Sequence, residues 1–315
     1  MTVPDTERPA PLAAAGPLSP ASATRRQRGA GIAAMLASSA SNQAGAALGA
    51  MAFSAIGPMG VVAVRQFVTA LVLAPVARPR FRSLRRQEWW LVLALAGVFG
   101  TMNATLYASI DRIGLGLAVT LEFLGPLAVA IASSRRAVDI ACAALAGVGV
   151  VVLTDPGPTT DLIGVGLALV AAGCWASYIL LNRALGQRLP GIRGTAAASV
   201  VSAAAWTPIA VVWFATHLPS LSAVVLAVGC GLLSSAIPYA ADLLVLRRVP
   251  AQLFGTLTSL NPVWAALAGW ALLGQALHAH EWVGVAVIVT SSLVVSTRGL
   301  AALPKEPVRQ VSREQ

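Results

Sequence analysis

The stretch LAVTLEFLGPLAVAIASSRR, residues 117–136, is apolar over most of its length but carries one carboxylate, Glu122, near its middle. Pro126 follows one helical turn later, where a soluble helix would break. A run of this length is about long enough to cross the core of a bilayer as a helix. The stretch therefore predicts a membrane-spanning helix that holds an acid and a helix breaker at membrane depth.

The rest of the chain has the composition of a membrane protein. It is 57% hydrophobic and 11% charged, whereas a soluble globular protein carries about a quarter charged residues. Its 28 glycines and many alanines suit transmembrane helices that approach one another closely. We therefore expect an all-α polytopic membrane protein.

Apolar stretches bounded by Arg, Pro or Gly clusters predict ten transmembrane helices, divided into two halves by the hydrophilic connection at 154–161. We expect a disordered cytoplasmic tail at 1–28, a first five-helix repeat at 29–154, a second at 155–298 and a cytoplasmic tail at 299–315. The approximate limits of the spans are 30–53, 58–77, 89–110, 113–134, 138–154, 162–182, 195–214, 221–245, 250–273 and 281–297.

The basic residues predict the orientation of these spans. All 22 Lys and Arg except Arg65 and Arg112 lie in the two tails or in the loops that follow spans two, four, six and eight. Cytoplasmic loops carry such an excess of basic residues, so both termini are predicted to lie in the cytoplasm. The same distribution argues against nucleic-acid binding, because the net charge of +10 is spread over short loops and not gathered on one face.

An internal repeat appears when the chain is shifted by 136 residues. The stretch TLEFLGPLAVAI (120–131) then falls on TLTSLNPVWAAL (256–267), and with one residue of slip GVGVVV (147–152) falls on GVAVIV (284–289). Because each half has an odd number of spans, the second half must enter the membrane from the opposite side. This pattern predicts an inverted-topology repeat, which is typical of secondary transporters.

Glu122 is the first candidate for function. A carboxylate at membrane depth costs on the order of 3 kcal/mol on insertion scales, so it normally faces a cavity or a partner. There it could take up a proton on one side and release it on the other, or bind the amine of a substrate. The alternative is a structural carboxylate that is hydrogen-bonded between helices.

Three prolines are candidate hinges of broken helices. Proline lacks an N–H, so Pro126, Pro238 and Pro262 leave the carbonyls four residues earlier without a helical donor. Those carbonyls belong to Glu122, Ser234 and Thr258. Free carbonyls at membrane depth are tolerated against protein or a wet cavity, which favours a central site over plain packing kinks.

Polar residues in several spans are candidates for substrate binding, although each could instead bond one helix to another. Asn103 and Tyr107 are predicted to be i,i+4 partners. Arg65, placed by the predicted limits near the exterior start of span two, could attract an anionic group, pair with a carboxylate or extend to the interface. The candidates are Asn42, Arg65, Asn103, Tyr107, Glu122, Tyr178, Tyr239 and Asn261.

Other functional classes leave no signature in the sequence. Neither a P-loop nor an HExxH motif nor a nucleophile elbow occurs, so we expect neither ATP coupling nor an enzyme. The three cysteines lie singly in apolar spans and the three histidines near span ends, so no metal or cofactor is predicted. A secondary transporter is the class that fits.

Three stretches carry a family resemblance: MNATLYASIDRIGLGLAVTLEFLGPLAVAIASSRR (102–136), GCWASYIL (173–180) and FGTLTSLNPVWAALAGWALLGQAL (254–277). From about residue 30 to 298 the chain resembles the EamA group of the drug/metabolite transporter superfamily, and within it the threonine/homoserine exporter subfamily. The resemblance implies an inner-membrane carrier that exports small amino acids against inward proton movement. It also implies a central cavity that opens alternately to each side.

The resemblance maps onto Glu122 and Pro126 as the polar residue and proline of span four. In span nine, related sequences hold a carboxylate before the proline, whereas this chain has Asn261 before Pro262. Glu122 is therefore the one deeply buried acid, and a mechanism with two carboxylates is in doubt.

Two alternatives stay open at this point. A carrier of the same fold could export other metabolites or drugs; the aromatic content of 6% argues mildly for small polar substrates. A membrane-embedded enzyme or sensor should show a catalytic set or a soluble output domain, and the sequence shows neither. The exact substrate, the coupling ion and the oligomeric state do not follow from the sequence.

Overall fold

A computed structural model of the protein describes residues 20–132, 137–154, 161–189, 192–238 and 259–301. Every regular element in these residues is a helix and none is a strand, which confirms the predicted all-α class. Four helices are long and apolar enough to cross a membrane: Phe53–Ala77, Arg86–Ile113, Leu162–Gly186 and Arg193–Thr216.

The helices follow the predicted spans, and each predicted span overlaps at least one of them. A 3-10 turn at Phe81–Ser83 precedes α3, and a π-helical turn at Leu232–Ala236 continues α9. The α-helices are α1 (Pro20–Met51), α2 (Phe53–Ala77), α3 (Arg86–Ile113), α4 (Leu115–Glu122), α5 (Leu124–Ala132), α6 (Ala137–Thr154), α7 (Leu162–Gly186), α8 (Arg193–Thr216), α9 (Leu221–Gly231), α10 (Asn261–Leu273) and α11 (Ala279–Ala301).

The start of the first span differs from the prediction, and the second span is preceded by a kink. Helix α1 begins at Pro20, so residues 20–28 of the predicted disordered tail are helical. Helix α2 begins at Phe53 and continues through a kink at Gly57, whose φ of 67° and ψ of 168° are non-helical. Glycine adopts positive φ without steric cost, so the chain can turn sharply there. The regular helix after the kink starts at Pro58, where span two was predicted to start, and Arg65 lies about two turns into it.

Trp213 of α8 fills the space beside this kink. Its indole Nε1 donates a hydrogen bond to the Ile56 carbonyl, 2.7 Å away. A Cβ added to Gly57 would lie 2.9 Å from the Trp213 ring. The kink in α2 is thus held by a side chain from the helix beside it.

Span four breaks where its acid stands. Helix α4 ends at Glu122, and α5 begins at Leu124. Pro126 lies in the first turn of α5 and cannot donate to the Glu122 carbonyl, as the sequence predicted. Gly125 lets α5 approach α7 closely, because a Cβ there would fall on the Ala172 carbonyl oxygen.

The helices pack in pairs drawn from the two halves of the chain. Helix α2 packs along α8, α3 along α7, α6 along α11, and α4 against α10, while α1 contacts both α9 and α10. Large apolar side chains such as Leu71, Val212 and Leu221 remain exposed, as lipid-facing residues are in a membrane protein. Polar side chains such as Gln66, Glu122 and Ser235 are buried between the helices instead.

Candidate functional site

Arg65 is the centre of a polar cluster between α2, α3 and the π-helical turn. Its Nη1 donates to the Tyr107 hydroxyl at 2.9 Å, its Nη2 to the Ser234 carbonyl at 3.2 Å and its Nε to the Ser235 hydroxyl at 3.1 Å. The guanidinium carbon also lies 5.3 Å from the centre of the Tyr107 ring. The Arg65 side chain is therefore directed at neighbouring helices of the bundle.

The π-helical turn at Leu232–Ala236 presents the backbone to this cluster. Its characteristic bond runs from the Ile237 N–H to the Leu232 carbonyl. Pro238, the predicted hinge of span eight, removes the N–H that would otherwise reach the Ser234 carbonyl, and Arg65 donates to that carbonyl instead. Such π turns within α-helices occur often at functional sites.

Helix α1 fixes the other side of the same turn. The Ser41 hydroxyl donates to the Leu233 carbonyl at 2.9 Å, and the Ser234 hydroxyl donates to the Asn42 carbonyl at 2.7 Å. Asn42, a predicted binding residue, thus contributes its backbone here. A Cβ at Gly45 would lie 2.5 Å from the Ser234 hydroxyl, so this glycine allows the close approach of α1.

Tyr107 and Asn103 do not pair with each other, contrary to the prediction from their spacing. The fully buried Tyr107 hydroxyl lies 2.9 Å from the Cys230 sulfur as well as bonding Arg65. The Asn103 amide donates to the Phe99 carbonyl of its own helix at 2.8 Å. Both side chains lie on α3, one turn apart, so the polar cluster continues from Arg65 along this helix.

Glu122 is 5% exposed, and none of the described residues donates a hydrogen bond to its carboxylate. Arg65 lies within electrostatic range of it, and so does the Cys174 thiol of α7. The next residue, Phe123, packs edge-on against Trp175 with ring centres 5.7 Å apart. Glu122, the last residue of α4, therefore lies between α7 and the Arg65 cluster.

Asn261 lies at the level of Glu122. Helices α4 and α10 are antiparallel: the Leu115 N–H donates to Gln275 beyond the end of α10, and a Cβ at Gly116 would lie 3.4 Å from the Ala266 Cα. From Gly116 to Glu122 the helix rises about 9 Å at about 1.5 Å per residue. Nearly the same rise along α10 leads back from Ala266 to Asn261.

Two of the predicted binding residues hold buried amide oxygens to which none of the described residues donates a hydrogen bond. They are Oδ1 of Asn103, which is 6% exposed, and Oδ1 of Asn261, which is 5% exposed. A buried acceptor left unsatisfied costs about 1–3 kcal/mol. Such atoms are expected where a ligand or a water completes the site.

Other predicted residues lie apart from the cluster or outside the described chain. The Tyr178 ring packs on Phe99, with ring centres 5.6 Å apart. Pro262 stands in the first turn of α10, where proline is tolerated, so within the described residues it begins a helix and does not kink one. Tyr239 and Thr258 lie outside the described residues.

The C-terminal end of α3 makes an ion pair with the residue that precedes α7. Arg112 and Asp161 approach to 2.9 Å, and Asp161 also caps α7 by accepting the Gly164 N–H at 2.8 Å. The hydrogen bond from the Gly164 backbone, followed by that from Arg112, lowers the pKa of Asp161 below its ordinary value. No group of three His, Cys, Asp or Glu residues that could hold a metal occurs in the part of the chain that the structure describes.

Two interior residues make contacts that were not predicted: Gln66, which was not among the candidates, and Cys230, which was expected to be a plain apolar residue. Gln66 is buried and donates to the Phe99 carbonyl at 3.3 Å, close to where Asn103 donates. Its one sequence signal is a polar side chain next to Arg65 in an apolar span. Nothing in the sequence indicates that Cys230 meets Tyr107, because the contact joins two helices far apart in the chain.

Comparisons with known proteins agree with this architecture. Residues 162–297 match the EamA-like transporter family. The threonine/homoserine exporter RhtA of Escherichia coli (strain K12) is 37% identical over 264 residues, which cover 82% of this chain and 88% of the exporter. The uncharacterized transporter YwfM of Bacillus subtilis (strain 168) is 27% identical over 157 residues, 49% of this chain and 52% of that protein. One crystal structure, 18% identical, covers 87% of this chain and 99% of its own with a TM-score of 0.60, so the fold is shared.

Proposed function

Since this chain belongs to the EamA-like transporter family of the drug/metabolite transporter superfamily, we propose that it exports small amino acids such as threonine or homoserine across the inner membrane. Like its named relatives, it is a membrane transporter and not an enzyme. The substrate proposal comes from the 37% identity to an exporter named for threonine and homoserine. In this proposal the basic loops lie in the cytoplasm and so do both termini.

The proposed architecture is ten spans in two inverted repeats of five. Its support is the pattern of helix packing. The repeat-equivalent pairs α2 with α8, α6 with α11 and α4 with α10 each pack together, as elements near a two-fold axis do. The packing of α1 on α9 and on α10 is matched by that of α7 on α3 and on α4, which the same axis relates.

The crossing of α6 and α11 supports this two-fold axis at the level of individual residues. The aligned stretches 147–152 and 284–289 belong to α6 and α11. A Cβ at Gly149 would lie 2.9 Å from Ile288, and one at Gly284 would lie 2.6 Å from Leu153. Equivalent stretches therefore cross each other antiparallel, as a two-fold axis in the membrane plane requires.

The proposed transport site lies between the halves, around Glu122, Arg65 and the two unsatisfied amide oxygens. The observation that carries it is Glu122 itself, a buried acid to which no described residue donates a hydrogen bond. A carboxylate can hold a proton or pair with an ammonium group, and these two states exclude each other. Release of the substrate outside followed by protonation, and deprotonation inside followed by substrate binding, gives proton antiport with alternating access.

Efflux from proteoliposomes tests the proposal. Vesicles containing the purified protein are loaded with threonine, homoserine or a panel of other small amino acids, with and without an imposed pH gradient. We expect efflux of threonine and homoserine that accelerates when protons can move against it. Efflux at the rate of protein-free vesicles for the whole panel contradicts the proposal, and efflux that ignores the gradient contradicts proton coupling alone.

A further inference from the structure

We propose that a cavity at the arginine-rich end of the bundle binds the headgroup of an anionic phospholipid. The cavity lies between the connection from α2 to α3 and the start of α8, so residues from both halves of the sequence line it. The lining residues are Pro79, Arg80, Ser83, Leu84, Leu189, Arg193 and Ala197. The inference is independent of the transported substrate and needs only that the protein spans a membrane.

The charge at this end of the bundle favours an anion. Residues 78–90 and 183–193 contain eight arginines and one acidic residue, Glu88. Glu88 is engaged locally, because its carboxylate accepts a hydrogen bond from the Arg85 backbone N–H at 2.7 Å. In the proposed orientation this end faces the cytoplasm, where basic residues beside membrane-spanning helices attract anionic lipids.

Two of these arginines come from different connections and border the same cavity. Arg80 precedes the 3-10 turn Phe81–Ser83, and Arg193 is the first residue of α8. Both are exposed, and neither side chain forms an ion pair with any of the described residues. Guanidinium groups bind phosphate oxygens through charge-assisted hydrogen bonds, so the rim of the cavity suits a phosphate-containing headgroup.

The rest of the lining is largely apolar, which favours a lipid over a free anion. Leu84 and Leu189 pack against a buried cluster of α3, α7 and α8 that includes Leu185 and Ala197. Inorganic phosphate gains nothing from this apolar surface. The glycerol backbone and the first acyl carbons of a phospholipid would bury it, and burial of apolar surface is favourable.

The cavity also lies where an apolar span leaves the bilayer core. Helix α2 exposes Leu71 and Val76, as lipid-facing residues are, and it ends two residues before Pro79. Trp89, near the start of α3, stacks on Phe81 of the 3-10 turn with ring centres 6.0 Å apart. Tryptophan is enriched at the level of the lipid headgroups, so the cavity is at the depth that such a ligand occupies.

Thermal unfolding of the full-length protein in a neutral detergent tests the inference, because a ligand that binds only the folded state stabilises it. Three ligands are titrated: anionic dihexanoyl phosphatidylglycerol, zwitterionic dihexanoyl phosphatidylcholine with the same chains, and inorganic phosphate. We expect phosphatidylglycerol to raise the unfolding temperature at concentrations at which the other two have little effect. Equal shifts by the two lipids overturn the inference, and so does a shift by inorganic phosphate equal to that of phosphatidylglycerol.

A pair of double variants separates the cavity from the diffuse charge of the connections. Arg80→Gln with Arg193→Gln removes both arginines of the cavity, and Arg82→Gln with Arg183→Gln removes the same charge from residues outside its lining. We expect the first pair to weaken phosphatidylglycerol binding by about 30-fold, which corresponds to about 1 kcal/mol for each arginine. The second pair keeps both guanidinium groups of the cavity and should weaken binding only a few-fold. Equal weakening by the two pairs shows a diffuse basic surface and overturns the site.

All four arginines are exposed, so these substitutions should leave the fold intact. Arg80→Gln alone decides the matter if the first pair does not elute as a monodisperse protein. We expect this variant to bind phosphatidylglycerol about 5-fold more weakly than the wild type, again about 1 kcal/mol for one arginine. Arg82→Gln is its matched control in the same connection, and equal affinities of Arg80→Gln and Arg82→Gln overturn the inference.

Discussion

The Nη2 of Arg65 donates to the carbonyl of Ser234, 3.2 Å away, at the turn where Pro238 removes the usual helical donor. A side chain of the first half of the chain thereby replaces a backbone bond of the second half. The two halves are thus joined by a hydrogen bond that an uninterrupted helix would not allow. Changes at Pro238 should act on Arg65 although the proline itself is not one of its partners.

Pro238→Ala should slow efflux without lowering stability. Alanine restores an N–H that competes with Arg65 for the Ser234 carbonyl, and it removes a residue that costs about 3 kcal/mol inside a helix. We expect an unchanged or higher unfolding temperature in detergent together with a lower rate of threonine efflux from proteoliposomes.

Pro208→Ala is the control for that variant. Pro208 lies inside α8 and is exposed, as a lipid-facing residue would be. This variant should keep the wild-type efflux rate. Equal slowing by both substitutions would show that the effect belongs to prolines in general.

Glu122→Gln should abolish proton-coupled efflux while the protein still folds. Glutamine has nearly the same shape but can neither carry a proton across nor balance an ammonium charge. Efflux is measured in proteoliposomes over a range of imposed pH gradients. A gradient dependence equal to that of the wild type would refute the role of Glu122, whereas Glu88→Gln, which removes only an acid from the first turn of α3, should behave like the wild type.

Gly125→Ala should destabilise the packing of span four on span six. Its new methyl group would fall on the Ala172 carbonyl oxygen of α7, and overpacking of this kind costs about 1–3 kcal/mol. Gly173→Ala lies one residue beyond Ala172 but points into open space, so it should be neutral or stabilising by up to about 1 kcal/mol. Thermal unfolding in detergent compares the two, and the same loss in both would contradict the close approach of α5 and α7.

Asp161→Ala should lower thermal stability near neutral pH and have less effect in acid. The pKa of Asp161 is lowered in the folded protein, so its stabilising contribution is present above the ordinary range of a carboxyl group. That contribution is lost as the pH falls through the lowered pKa. Unfolding temperatures of the variant and the wild type are compared across this range, and a difference that stays constant down to strong acid would show that the charge is not involved.

The helices were predictable from sequence because apolar length and basic loops are local signals. The break of span four was predictable as well, since Pro126 removes the donor to the Glu122 carbonyl wherever the helix lies. The partners of Arg65 were not, because Tyr107, Ser234 and Ser235 come from another helix and from the π-helical turn, far apart in the chain.

In the candidate site, too, the polar residues could be predicted from the sequence but their partners could not. The sequence indicated the polar residues of the interior, including Glu122, Asn103 and Asn261, because polar atoms stand out in apolar spans. It paired Asn103 with Tyr107 by spacing alone, whereas Tyr107 contacts Arg65 and Cys230 on other helices. Partners across helices depend on packing that no local pattern encodes.

The π-helical turn at Leu232–Ala236 has a geometric consequence of its own. An α-helix turns by about 100° per residue, so one extra residue in a turn rotates the later part of the helix by about that angle. The direction in which Ser235 faces is therefore set by the number of residues in this turn as much as by side-chain chemistry. Deleting a single apolar residue from this turn would swing the hydroxyl away from Arg65 with every polar group still present.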